Sequence, residues 1–153
     1  MATYIVNHNA IVVSTAITII QIKAGASTPL ELLRAHISQG LSETSTQEQI
    51  QILLKSAAAT VTSQTPGLWP NGGAGPVAAA AVGGTAATGI TATAEGTDGQ
   101  ILVNEAFNIV SGWTWVASSE KERIFVPAAG IIALKFPVAP ASATWRAYML
   151  FAE

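Results

Sequence analysis

Few residues in this chain have types suited to acid–base, nucleophilic or metal chemistry, and their spacing decides against most of it. There are two histidines, His8 and His36, a single aspartate, Asp98, and no cysteine. Thiol chemistry and disulfides are therefore excluded. A zinc site needs more ligands than two distant histidines and scattered carboxylates supply. A hydrolytic serine needs a histidine and an acid beside it, and the sequence has no Gly-x-Ser-x-Gly turn. Glu120 and Glu122, in Ser118-Ser119-Glu120-Lys121-Glu122-Arg123, alternate with cations. They read as a solvated hairpin tip rather than the carboxylate pair of a glycosidase. Asp98, in Thr97-Asp98-Gly99, suits a turn. The glycine-rich stretches Asn71-Gly72-Gly73-Ala74-Gly75-Pro76 and Gly83-Gly84-Thr85 lack the lysine of a phosphate loop. No catalytic residue, cofactor-binding residue or metal ligand is assigned, no cofactor is expected, and the chain is expected not to be an enzyme.

What remains is the chemistry of contact. Trp113 and Trp115 are two apart and share one face of a strand. They either pack in a sandwich core or form an aromatic patch for a partner subunit or a sugar, with Arg123 or Arg146 placed to stack near it. Trp69 is the better contact candidate, because it stands in a stretch rich in Gly and Pro and aromatics dominate interface hot spots. Tyr4-Ile5-Val6-Asn7-His8-Asn9 is short, apolar and uncharged. It forms either an ordinary edge strand or part of an N-terminal arm, residues 1–10, that adds to a neighbouring sheet. The candidate partner contacts are thus Tyr4, Ile5, Val6, Asn7, His8, Asn9 and Trp69.

The elements that must position these residues read mainly as strands. Residues 11–23 are rich in β-branched side chains and end in alternation, Ile20 and Ile22 against Gln21 and Lys23, which predicts a half-buried strand. Residues 28–40 carry conflicting signals. Thr28-Pro29-Leu30-Glu31 looks like a helix start, while strand-like surroundings favour a strand, with Leu33, Ala35 and Ile37 on one face and Leu32, Arg34 and His36 on the other. Residues 42–47 read as a polar loop, and 49–55 alternate with period two, the strand running on through 59–62. Residues 65–81 form a long loop rich in Gly and Pro, and loops of that length are often functional. Strands then follow at 89–94, 100–110, 113–117, 123–126, 131–136 and 144–151, separated by Gly, Pro and Ser turns. The expected fold is all-β: a single-domain antiparallel β-sandwich over residues 1–153, jelly-roll-like.

Composition narrows the function further. Half the residues are hydrophobic but only 10% are charged, against about 25% in an ordinary soluble domain. Seven Lys and Arg and a net charge of −2 argue against binding nucleic acid through many phosphate contacts. The best apolar run, residues 10–22, is broken by Ser14, Thr15, Thr18 and Gln21, so no membrane span is expected. The start of the chain has no basic region and no cleavage pattern, so no signal peptide is expected. A folded chain with so little surface charge is a solubility liability as a free monomer, and extensive subunit contacts are expected.

A series of segments carries a resemblance. Thr28-Pro-Leu-Glu-Leu-Leu-Arg-Ala, Gln47-Glu-Gln-Ile-Gln-Ile-Leu-Leu-Lys-Ser, Gly99-Gln-Ile-Leu-Val-Asn-Glu-Ala-Phe-Asn and Gly112-Trp-Thr-Trp-Val are followed by Glu122-Arg-Ile-Phe-Val-Pro, Leu134-Lys-Phe-Pro and Ala139-Pro-Ala-Ser-Ala. In this order they resemble virion structural proteins of tailed bacteriophages, most of all capsid decoration (auxiliary or cement) proteins. The resemblance implies a β-sandwich that binds the major capsid protein as a homotrimer on the outer capsid surface and stabilises the head. The alternative is a tail- or fibre-associated sandwich that binds a carbohydrate or receptor.

Overall fold

The computed structural model describes residues 1–40, 44–70 and 75–153. Part of the expected 42–47 loop and residues 71–74 of the glycine-rich stretch lie outside the described residues. Among the described residues there are twelve strands: β1 (Thr3–Val13), β2 (Ile17–Lys23), β3 (Leu30–Gly40), β4 (Gln47–Ala57), β5 (Thr60–Ser63), β6 (Gly67–Trp69), β7 (Gly89–Ala94), β8 (Thr97–Asn108), β9 (Trp113–Val116), β10 (Ile124–Val126), β11 (Ile131–Phe136) and β12 (Ala143–Ala152). They form two six-stranded antiparallel sheets packed face to face, an all-β sandwich. Sheet A has the order β10-β3-β12-β1-β6, with β9 also on β3; sheet B has the order β5-β7-β2-β11-β4-β8.

Alternation builds the interior of sheet A. Tyr4, Val6 and His8 of β1, Ala35 and Ile37 of β3, and Trp145, Ala147, Met149 and Phe151 of β12 are buried, while the residues between them are exposed or half-buried. Phe136 of sheet B meets the Trp145 ring edge-on at 4.9 Å, and Phe107 meets it at 6.1 Å. These aromatic contacts knit the sheets across the core.

Residues 30–40 are a strand. The local helix-start signal loses to pairing on both edges: β12 lies on one side, β9 and β10 on the other. Tertiary hydrogen bonding and burial override a helix propensity worth a few tenths of a kcal/mol per residue, roughly. A register shift where Leu150 faces Arg34 and Phe151 faces Leu32 leaves Leu33 unpaired with β12. Leu32 therefore points into the core, not outward with Arg34 as strict alternation predicts.

Sheet B departs from the half-buried expectation for a simpler reason: part of it is covered on both faces. Five consecutive residues of β2, Thr18 to Ile22, are buried, and so are Ile131 to Leu134 of β11. A strand buried on both faces loses its alternation. Ala59, Val61 and Ala92 form a small second cluster beside the main core. Gln21 is not solvent-facing; its amide donates to Ala87 O at 2.7 Å and its oxygen accepts the Ala59 N–H at 2.8 Å. A buried side-chain amide satisfies backbone groups that the 59–88 segment brings into the interior.

The first ten residues are not a free arm. β1 pairs with β12 from Thr3 to Val13 and with β6 from Thr3 to Ile5, so it is an interior strand over its first turn of pairing. The 65–81 stretch is not all loop: Gly67–Trp69 forms β6, because its backbone pairs with Thr3 to Ile5 of β1, and described residues beyond it are tied down. Tyr4 donates its hydroxyl to Pro76 O at 3.1 Å, and the Ala79 and Ala80 N–H groups donate to the Glu153 carboxylate at 2.6 and 2.8 Å.

Candidate binding cleft on the outer face of sheet A

Because directly paired residues share a face, the sheet A register sets out its solvent side as rows. One row runs Gly67, Ile5, Leu150, Arg34, Val116. The next, two residues along, runs Asn7, Tyr148, His36, Thr114. On the other side of the first row, Trp69 faces Thr3. Rows lie roughly 7 Å apart along the strands and neighbouring strands about 4.8 Å apart. Gly67 contributes no side chain to the first row, leaving a depression between Ile5 and the indole of Trp69.

Among the described residues, Ile5, Asn7, Arg34, Trp69, Tyr148 and Leu150 line this depression, a cleft of about 350 Å³. Trp69 is 48% exposed. The Tyr148 ring stacks on His36 with centroids 5.2 Å apart. His36 Nδ1 shares a 2.7 Å hydrogen bond with Thr114 Oγ1, which fixes the imidazole and with it one side of Tyr148. Burial, and then the Arg34 cation, lower the His36 pKa below its ordinary 6.5. Arg34 makes no ion pair among the described residues. Among the described residues the cleft thus offers an aromatic face, apolar walls, an amide and one unpaired guanidinium, with no carboxylate in its lining. That set can hold a ligand; it contains no acid–base pair.

The structure divides the sequence-predicted contacts by alternation. Ile5, Asn7 and Trp69 meet at the cleft. Asn9 is exposed on the same strand. Tyr4, Val6 and His8 are buried in the sandwich and have no free face for a partner. Tyr4 packs on Phe151 at 5.7 Å. His8 Nε2 bonds Thr91 Oγ1 at 3.0 Å, while its Nδ1 has no partner among the described residues. Burial lowers the His8 pKa below 6.5. Trp113 is a core residue whose indole N–H donates to Glu105 at 2.5 Å, and Trp115 packs half-buried against the same core. Of the two arginines named for that face, Arg123 pairs with Glu31 at 3.1 Å, whereas Arg146 is exposed, lies beside Gly40 and makes no ion pair among the described residues. Glu120 and Glu122 stand exposed on a single 3-10 turn.

Sequence reasoning missed Arg34, Tyr148 and Leu150 as cleft residues. The signal that finds them is the outward parity of residues 144–151, combined with a strand at 30–40.

A second constellation, also unforeseen, lies on the outer side of sheet B. The Lys55 side chain is 0% exposed. It donates to Glu95 O at 2.6 Å and Asp98 Oδ1 at 2.7 Å, with Glu95 Oε2 at 3.5 Å. Lys135 reaches Asp98 Oδ2 at 2.6 Å and Glu95 Oε2 at 3.1 Å. Thr18 donates its N–H and hydroxyl to the Glu95 carboxylate at 2.6 and 2.8 Å. Two cations and two anions cancel. Partial burial pushes both carboxyls up, but the Thr18 and Lys135 donors on Glu95, and the two lysines on Asp98, outweigh it and hold both below their ordinary range. Lys135 is likewise raised: burial opposes its charge and the two carboxylates overcome that. Every charge is partnered, so the cluster clamps the β7–β8 turn onto sheet B. Asp98 serves as a strand-start anchor in this clamp.

In comparisons with known proteins, no family model, curated protein or solved structure matches the chain.

Proposed function

We propose that the chain is a non-enzymatic structural protein of a tailed-bacteriophage virion that decorates the outer capsid surface as a homotrimer and stabilises the shell. The observation that carries the subunit-contact part of this reading is strand β8. It is twelve residues long, lies at the edge of sheet B, and pairs only with β4 among the described residues. It is exposed over most of its length, and Ile101 is 51% exposed. Free monomers blunt such edges with charge, proline or β-bulges; β8 has no lysine or proline, its register irregularities against β4 lie within residues 97–103, and Val103–Asn108 runs in regular register with Glu105 as its one charge. The opposite edge of sheet B is the different strand β5. A closed three-fold ring requires two unlike surfaces meeting head to tail, and these two edges supply them.

The strand order supports the virion reading at the level of fold. With β5, β6 and β7 set aside, the chain places its first strand beside its last, as β1-β12-β3 with β9 and β10 in one sheet and β2-β11-β4-β8 in the other. We read this as a jelly roll with an inserted three-strand excursion, an architecture used by viral capsid and lectin domains. Fold analogy alone does not specify function; the exposed edge and the sparse charge add the need for partners. Contact with several copies of the major capsid protein at once then strengthens the hold without any single strong site.

Light scattering on the eluting protein tests the assembly. A homotrimer has a mass of about 47 kDa, three times the 15.7 kDa chain. A strict monomer at high concentration defeats the reading.

A further inference from the structure

We propose that the cleft on the outer face of sheet A binds a carboxylated sugar, with the pyranose ring against Trp69 and its carboxylate on Arg34. This goes beyond capsid decoration and stands or falls separately from it. The size is right for one sugar ring, since small-ligand sites begin near 300 Å³, roughly, and this cleft measures about 350 Å³. The C–H face of a pyranose is apolar and flat, and the half-exposed indole of Trp69 offers a matching flat surface. Ile5 and Leu150 form the apolar floor between the indole and the cation.

Arg34 gives the cleft its charge preference. It is exposed and has no ion-pair partner among the described residues, so its donors are free. The nearest acid along its own strand, Glu31, is engaged by Arg123 at 3.1 Å. A planar guanidinium matches a carboxylate through two parallel hydrogen bonds. A single cation suits one negative charge better than a dianionic phosphate. Asn7 and the Tyr148 hydroxyl lie on the same rim and supply amide and hydroxyl partners for ring hydroxyls. Tyr148 is held by its stack on His36, itself bonded to Thr114, so the site is braced before a ligand arrives.

The test is calorimetric titration of the full chain with α-1,4-tri-galacturonate and, separately, with its methyl ester, which keeps the rings and removes the charge. Expected is saturable binding of the acid and at least tenfold weaker binding of the ester. Arg34→Gln should reduce acid affinity at least tenfold and abolish the preference over the ester, while Arg34→Lys restores part of it. Trp69→Ala should weaken both ligands at least tenfold with the circular dichroism spectrum unchanged. Tyr148→Phe, which removes only a hydroxyl, gives a milder loss and keeps the test open if Trp69→Ala misfolds. No saturable binding, equal affinity for acid and ester, or affinity unmoved by Arg34→Gln overturns the proposal. So does loss of capsid docking in the Arg34→Gln and Trp69→Ala variants without any sugar binding by the parent chain, which makes the cleft a protein contact.

Discussion

Replacing Asp98 by Asn removes one charge from the clamp beneath the β7–β8 turn. Asp98 now accepts from Lys55 at 2.7 Å and from Lys135 at 2.6 Å, one through each oxygen. Asparagine keeps one acceptor and turns an NH₂ group toward the other ammonium. The cluster passes from neutral to a net positive charge, and Lys55, whose side chain is wholly buried, keeps only Glu95 as an anionic partner. Breaking a fully buried pair costs about 3–5 kcal/mol, while an exposed pair is worth about 1 kcal/mol or less. Asp98 is 38% exposed and Lys55 is not exposed at all, so the expected loss is intermediate, about 2 kcal/mol. For a chain of this length that lowers the melting temperature by about 4–8 °C. The assay is thermal unfolding followed by circular dichroism at pH 7, at 0.15 M and 1 M salt. Because the pair is largely shielded, the difference should persist in high salt. Glu120→Gln is the control: it removes a 3.7 Å pair to Arg123 at an exposed carboxylate, with an expected change within about 0.5 kcal/mol. If Asp98→Asn is as silent as Glu120→Gln, the clamp contributes nothing and the reasoning fails.

The remaining predictions concern pH, the turn and the edge. Glu95 and Asp98 are held below the ordinary carboxylate range, so their stabilisation is complete above that range and is lost as pH falls through the lowered values. His8, whose pKa burial lowers below 6.5, adds a loss beginning as pH drops below 6.5, because the unfolded chain then binds a proton that the folded chain refuses. Lys135, raised above 10.5, contributes fully below that value and gives way as pH rises through its raised one. Urea titrations from pH 3 to 11 should trace this dome; unchanged stability from pH 7 to pH 4 would contradict it. Gly96→Ala places a Cβ 2.3 Å from Ala58 O at a φ of +68°, and should cost about 1–3 kcal/mol in a urea midpoint measurement. Ile101→Lys puts a charge on an already exposed position of β8, so the melting of the single chain should shift by only about 0.5 kcal/mol. The mass in solution should fall to that of a monomer, and an intact trimer would remove β8 from the interface.

Much of the strand map could be read from the sequence because turns there are chemically explicit. Residues 89–94 and 131–136 are strands at the expected bounds, the first beginning at Gly89 and stopping short of Gly96, the second set between Gly130 and Pro137. Residues 30–40 were ambiguous because Thr28, Pro29 and Glu31 carry helix-start chemistry, and only pairing with β9, β10 and β12 decides. Gln21 misled because a polar residue at outward parity looks solvated, and one sequence does not announce that another segment covers that face. The cleft was half visible. Ile5, Asn7 and Trp69 stood out by type, whereas Arg34, Tyr148 and Leu150 reach the cleft only through the order β3-β12-β1-β6. Alternation gives the face of a residue but not the neighbour of its strand. The clamp was hidden for the same reason, since Asp98 lies 43 residues from Lys55 and 37 from Lys135.

The central claim is that this sandwich works by covering and being covered. Co-sedimentation of the purified protein with phage capsids that lack it, with occupancy and shell melting read together, tests it most directly. The account predicts saturable occupancy in multiples of three copies and a higher shell melting temperature. Intact shells that take up none of the protein at saturating concentration, with melting unchanged, would contradict it.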